Sequence, residues 1–97
     1  MPKILIYITS RLQWIFLFYG TDFNENRAHV HVGKKGVDKY CKIWLEPNIE
    51  LETKGELTDS QINSILQIAE KYKTVLLKQW ENFKAGKNVK VLIIKDK

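Results

Sequence analysis

The sequence has few of the residues that build covalent or metal-based frameworks. It contains one cysteine, Cys41, and two histidines among 97 residues. One cysteine cannot form an internal disulfide or a zinc site made of several thiolates, and it is typical of a reducing compartment. Cys41 alternates with Ile43 and Leu45, which predicts a small core residue and not a nucleophile. With two prolines and five glycines, the chain also lacks linker or low-complexity stretches.

Long hydrophobic runs are missing as well. The apolar run near the N-terminus is interrupted by Tyr7, and Ser10-Arg11 follows it where a signal peptide would have small residues at a cleavage site. No run approaches the roughly 20 residues of a membrane-spanning helix. We therefore expect a cytoplasmic protein that has no membrane partner.

The composition is that of an ordinary globular protein, with 44% hydrophobic and 28% charged residues. The length suits a single domain, which we place at residues 1–97. The net charge of +5 favours acidic partners, nucleic acid included. The positive residues are spread along the chain, however, and the commoner meaning of such a charge is a lysine-rich surface.

Apolar periodicity predicts six strands and one long helix. Thr58 is a suitable N-cap, Gln61 completes a capping box, and Gly86 is a suitable stop. At 1.5 Å per residue such a helix is about 40 Å long, so one end overhangs or the helix kinks. We predict an α+β fold, with a mainly antiparallel sheet packed against one long helix in the C-terminal half and a final C-terminal strand. The predicted strands are residues 3–9, 13–19, 28–32, 38–46, 49–52 and 89–94.

His29 and His31 have the spacing that places both side chains on one face of a strand. A stable zinc or iron site needs three or more protein ligands, so Asp22 or Glu25 from the polar loop 20–27 would have to join the two histidines. Strand histidines that are hydrogen-bonded to backbone or carboxylates, without metal, are the commoner arrangement. We therefore expect no cofactor and keep a transition metal as the less favoured alternative.

The same histidines suit metal-free cleavage of RNA. Such a reaction needs an acid, a base and cations that hold the phosphate. His29 and His31 are candidates for the acid and base, and Arg27, Lys34 and Lys35 are candidates for the phosphate-binding cations. The alternative for Lys34 and Lys35 is a solvated turn.

Several apolar side chains are candidates for a protein interface. Trp14, Phe16 and Phe18 share one face of a strand that has no polar alternation, so both of its faces should be covered. Ile68 and Val75 lie beside the main apolar stripe of the helix. We predict that these five residues contact a partner, either another protein or a second copy. The alternative is that they belong to the core.

The order of these features resembles a bacterial family known as domain of unknown function 4160. The resemblance covers roughly residues 13–90 and implies a small antiparallel sheet backed by helix. Genes of the family often lie beside a second small gene, which implies a toxin–antitoxin component that binds the neighbouring gene's product. Many relatives have a further histidine in the loop, a natural third metal ligand that is missing here, and a proline near Ala28. The matching segments are Phe18-Tyr19, Ala28–Gly33, Gly55-Glu56-Leu57, Trp80-Glu81 and Gly86.

Three functions are therefore open. The first is a cytoplasmic bacterial toxin–antitoxin component that binds a partner protein, with RNA contact through the His29/His31 strand. The second is a small hydrolase or nuclease that uses these histidines as acid and base or as metal ligands. The third is a structural module without catalytic chemistry.

Overall fold

Six strands form one sheet in the order β5-β4-β3-β2-β1-β6, and two helices follow β5 in the chain. A computed structural model describes residues 2–96, so the ends of the predicted domain, Met1 and Lys97, lie outside the described residues. All neighbouring strands are antiparallel except β6, which is parallel to β1. The α+β class and the final strand are confirmed. The strands are β1 Lys3–Ile8, β2 Gln13–Leu17, β3 His29–Gly33, β4 Cys41–Trp44, β5 Glu50–Thr53 and β6 Leu92–Lys95.

The prediction of one long helix is wrong, because the chain forms α1 (Asp59–Lys71) and α2 (Lys73–Lys84) with a break at Tyr72. The backbone of Tyr72 departs from helical values, with φ −107° and ψ 20°. Hydrogen bonds continue on both sides of it, from Tyr72 N–H to Ile68 and from Leu76 N–H to Tyr72. A straight helix of about 40 Å would exceed the longest dimension of the molecule, 34 Å. The kink keeps both helices on the sheet.

Both ends of the helical segment match the sequence signals. The Thr58 side chain accepts a hydrogen bond from Gln61 N–H, and the Gln61 side chain accepts one from Thr58 N–H. This reciprocal pair is the predicted capping box. At the other end Gly86 has a φ of +75°, a conformation that favours glycine and stops the helix.

The inner face of the sheet packs against the helices and forms the core. Trp14, Phe16 and Phe18 are buried there, with 3%, 0% and 0% exposure. The structure thus corrects their predicted interface role: the helices of the same chain cover this strand. Ile68 and Val75, also predicted interface residues, are partly buried and pack against the same core.

Cys41 is buried in this core, as its alternation with Ile43 and Leu45 predicts. Burial raises the pKa of its thiol to about 11, so the reactive thiolate is scarce at neutral pH. Cys41 is a packing residue.

The outer face of the sheet has an open half and a covered half. On the open half, Ile15, Ile6 and Ile93 are direct register partners across β2, β1 and β6, and Ile93 is 58% exposed. On the other half, the loop between β2 and β3 covers β3. Within residues 2–96, neither helix has the length and apolarity that crossing a membrane requires.

Candidate functional site

The two histidines lie on the outer face of the sheet, as their spacing predicts. His31 is paired with Leu17 of β2 and with Lys42 of β4, and His29 is paired with Trp44. The alternate residues of β3, Val30 and Val32, point to the core. His29 is fully buried, and the His31 side chain is 12% exposed.

The loop from Gly20 to Arg27 brings a carboxylate onto these histidines. Its first part is a 3-10 helix, Gly20–Asn24. The side chain of Asp22 caps this helix by accepting a hydrogen bond of 2.7 Å from the backbone N–H of Tyr19. The cap turns Asp22 inward, where it is only 5% exposed.

Asp22, His29 and His31 form a cluster whose donor atoms all lie within 4.8 Å of one another. Nε2 of His29 is 3.0 Å from Oδ1 of Asp22, and Nε2 of His31 is 3.0 Å from Oδ2 of the same carboxylate. A second carboxylate oxygen, Oε2 of Glu25, lies 3.0 Å from Nε2 of His29. Two imidazole nitrogens and the Asp22 carboxylate therefore converge on one point, and Glu25 approaches it from the side of His29.

The hydrogen bond at Nδ1 of His29 determines which ring nitrogen carries the proton in the neutral imidazole. Nδ1 lies 3.0 Å from the carbonyl oxygen of Arg27, and because a carbonyl only accepts hydrogen bonds, Nδ1 carries a proton. In the neutral ring Nε2 then has a lone pair, which faces two carboxylate oxygens.

Nε2 of His29 is buried, and within residues 2–96 it has no hydrogen-bond partner of acceptable geometry. Both carboxylate oxygens lie 3.0 Å from it, a distance that suits an ion pair when the His29 ring is protonated. A buried acceptor surrounded by acceptors is unfavourable unless a proton or a metal ion joins it.

The expected charge states suit a cation. Burial alone raises the pKa of Asp22, but hydrogen bonds from the His29 ring, when its Nε2 carries a proton, and from the Tyr19 amide outweigh burial and lower that pKa, which keeps the carboxylate ionised. Burial lowers the pKa of His31, against the opposing effect of Asp22, and this favours the neutral imidazole. Ionised carboxylate and neutral imidazole are the forms that bind metal ions.

Glu25 is the accessible carboxylate beside the cluster, because its side chain is 45% exposed. The ammonium group of Lys42 lies 3.4 Å from the carboxylate of Glu25 and 4.7 Å from the centre of the Trp44 ring. Glu25 and Lys42 therefore form the solvent-facing side of the site.

The predicted phosphate-binding residues do not gather at the histidines. Arg27 lies over the Trp44 ring at 4.1 Å and donates to the carbonyl of Glu46. Lys34 and Lys35 follow the opposite end of β3, where they line a separate groove with Arg11. From His31 to Lys34 is about 10 Å along an extended chain. The five predicted residues are thus divided between two places.

Helix α2 supports the site, a role that sequence analysis missed. The Trp80 ring packs on His29 with a centroid distance of 5.0 Å. The Lys84 ammonium donates to the backbone carbonyls of Phe23 and Glu25 and so holds the loop. These contacts join residues 51 to 61 positions apart, and no local pattern signals them.

Comparison with known proteins identifies the family. The model of Domain of unknown function (DUF4160) matches residues 14–81, well over half of the chain. Searches of curated proteins and of solved structures gave no match. The matched region includes Asp22, both histidines, their loop and most of the two helices. The chain therefore belongs to the DUF4160 family.

Proposed function

We propose that this protein is a small metal-dependent hydrolase that binds one divalent transition ion, zinc in first place, through Asp22, His29 and His31. The observation that carries the proposal is the buried Nε2 of His29, which faces two carboxylate oxygens without a hydrogen bond. Zinc prefers nitrogen and oxygen ligands at about 2.0–2.2 Å, and a cluster within 4.8 Å allows several such bonds to one ion.

The bond from Nδ1 of His29 to the carbonyl of Arg27 supports the same proposal. Metal-binding histidines usually donate their second N–H to a carbonyl or carboxylate, which fixes the tautomer and orients the ring. The Asp22 carboxylate is held in a similar way by the Tyr19 amide. The protein thus prepares these ligands with its own backbone.

Whether Glu25 stays bound to the metal determines whether the site is structural or hydrolytic. Bound together with the other three residues, it completes a closed four-ligand shell. Because its side chain is 45% exposed and reaches the site only through Nε2 of His29, at 3.0 Å, it is the ligand that substrate or water displaces most easily. Three protein ligands with one open position are typical of hydrolytic zinc centres, where the metal polarises the substrate and activates water.

The direct experiment is a calorimetric titration of zinc into untagged protein that has been treated with EDTA. Metal analysis of the product then gives the stoichiometry. We expect one equivalent of zinc per chain, and we expect His29→Gln to lower the affinity at least tenfold. The matched control is Lys54→Gln, which removes a surface partner of Asp59 far from the cluster. Binding of less than about 0.1 equivalent of zinc by the unaltered protein would contradict the proposal. The cluster would then be explained by a protonated His29 paired with two carboxylates.

A second candidate function is a toxin–antitoxin-type role, in a bacterial cytoplasm, through binding the product of a neighbouring gene. The open row of Ile15, Ile6 and Ile93 favours it, because exposed apolar patches on a sheet mark protein interfaces. This surface replaces the buried aromatic residues as the proposed interface. RNA contact through the histidine strand is part of the same proposal.

For this second function, Ile93→Glu is expected to weaken co-purification with the neighbouring gene's product at least tenfold, because it places a charge on the most exposed residue of the apolar row. Stability should change little, since Ile93 is 58% exposed. Leu51→Glu, at the opposite edge and 39% exposed, is the matched control. This role is rejected if both variants bind the product equally well, or if the parent protein does not bind it.

A further inference from the structure

A basic groove lies on the outer face, beyond the end of β3. It has a volume of about 540 Å³, and its charged lining residues within residues 2–96 are all cationic. It shares no residue with the Asp22/His29/His31 cluster. The lining residues are Arg11, Leu12, Gln13, Ile15, Lys34 and Lys35.

The three cations come from two neighbouring turns. Arg11 lies between β1 and β2, and Lys34 and Lys35 lie between β3 and β4, while β2 and β3 pair with each other. Arg11 and Lys35 are exposed, and Lys34 is half-buried. Within residues 2–96 no salt bridge engages any of the three, in contrast to Arg27, Lys42 and Lys54. Their charge is available to a ligand.

An aromatic surface adjoins the groove. The ring of Tyr40 lies directly over Gly33, where a β-carbon would overlap it. Gly33 is the register partner of Ile15, which lines the groove, and it precedes Lys34 in the chain. Tyr40 is half-buried, so part of its side chain remains accessible beside the groove.

We infer that this groove binds the phosphate backbone of single-stranded nucleic acid, with one base stacked on Tyr40. Unpaired cations beside an aromatic ring are the two elements that proteins use to bind single strands. An acidic protein would use the cations but gains little from an adjacent stacking ring, so nucleic acid is favoured. Lys34 of the groove is about 10 Å from His31 along the extended chain, so a bound strand of a few nucleotides can reach towards the histidine cluster.

Fluorescence anisotropy with a labelled oligouridylate tests this inference in the presence of EDTA, so that the result does not depend on the metal centre. With three phosphate contacts, the logarithm of the affinity should fall with the logarithm of salt concentration with a slope of about −2. Lys34→Ala with Lys35→Ala should weaken binding at least tenfold and bring the slope to about −0.7. Tyr40→Leu should weaken binding several-fold while the slope stays the same.

The matched control is Lys78→Ala with Lys87→Ala, which changes net charge equally on exposed residues outside the groove. It should bind as the parent does. The inference is overturned if this control loses as much affinity as the groove variant, or if the parent does not bind at low salt. It is also overturned if polyglutamate competes as well as oligouridylate, which would assign the groove to an acidic protein.

Discussion

Saturating zinc is expected to raise the thermal unfolding midpoint of this protein by roughly 10–20 °C. A ligand at 100 times its dissociation constant stabilises the folded state by about 2.7 kcal/mol. For a domain of this size, 1 kcal/mol corresponds to roughly 4–8 °C. The increase should reverse with EDTA, and differential scanning calorimetry measures it.

Asp22→Asn is expected to abolish this increase, because it removes the carboxylate shared by His29 and His31 at 3.0 Å. The variant keeps an oxygen that accepts from the Tyr19 amide, so the 3-10 helix retains its cap. Asp59→Asn is the control, since Asp59 is exposed and paired with Lys54. A zinc-induced increase that survives in Asp22→Asn would show that zinc binds elsewhere on the chain.

Phe18→Ala is expected to cost about 3–5 kcal/mol of the free energy of unfolding. Phe18 has no exposed surface and packs against Trp80 and Phe83, with ring centroids 5.2 and 4.9 Å away. Small domains have about 5–15 kcal/mol in total, so the variant is near the limit of folding. Urea denaturation followed by Trp fluorescence measures the change.

Phe23→Ala is the comparison for that experiment, because Phe23 contacts the same Phe83 but is 46% exposed. Its expected cost is about 1 kcal/mol or less. A Phe18→Ala variant of normal stability that fails only in partner binding would restore the interface role that the sequence predicts. Loss of stability assigns Phe18 to the core.

The sequence predicts the elements that depend on local chemistry. The alternation of His29 and His31 with two valines is sufficient to place them on β3, and Thr58 with Gln61 is sufficient to start α1. These signals succeed because strand alternation and helix capping involve neighbours within a few residues.

The features that sequence analysis misses depend on contacts far along the chain. The break at Tyr72 comes with packing of its ring against Tyr7 in β1. The burial of Phe18 depends on Trp80, and the periodicity of β2 does not distinguish a helix of the same chain from a partner. Apolar patterns indicate that a face is covered, but not what covers it.

The candidate site likewise combines residues that the sequence identifies with an arrangement that depends on distant contacts. The histidine pair and the two possible carboxylates are recognisable in the sequence, but their spacing does not fix the loop. The loop is fixed by Lys84, which donates to the carbonyls of Phe23 and Glu25 from the end of α2. Closeness in the sequence also misleads for Lys34 and His29. They are only five residues apart, but an extended strand of that length spans about 17 Å.

The two edges of the sheet differ in a way that limits how chains can assemble. The β5 edge carries Glu50 and Glu52, charges that discourage strand addition, whereas the β6 edge exposes Leu92 and Ile93. When β6 of one copy pairs with β6 of a second copy, both apolar edges are covered. Only the charged β5 edge then remains at either end. Growth by strand addition is therefore self-terminating, and the fold is protected from the open-ended filaments that two adhesive edges would allow.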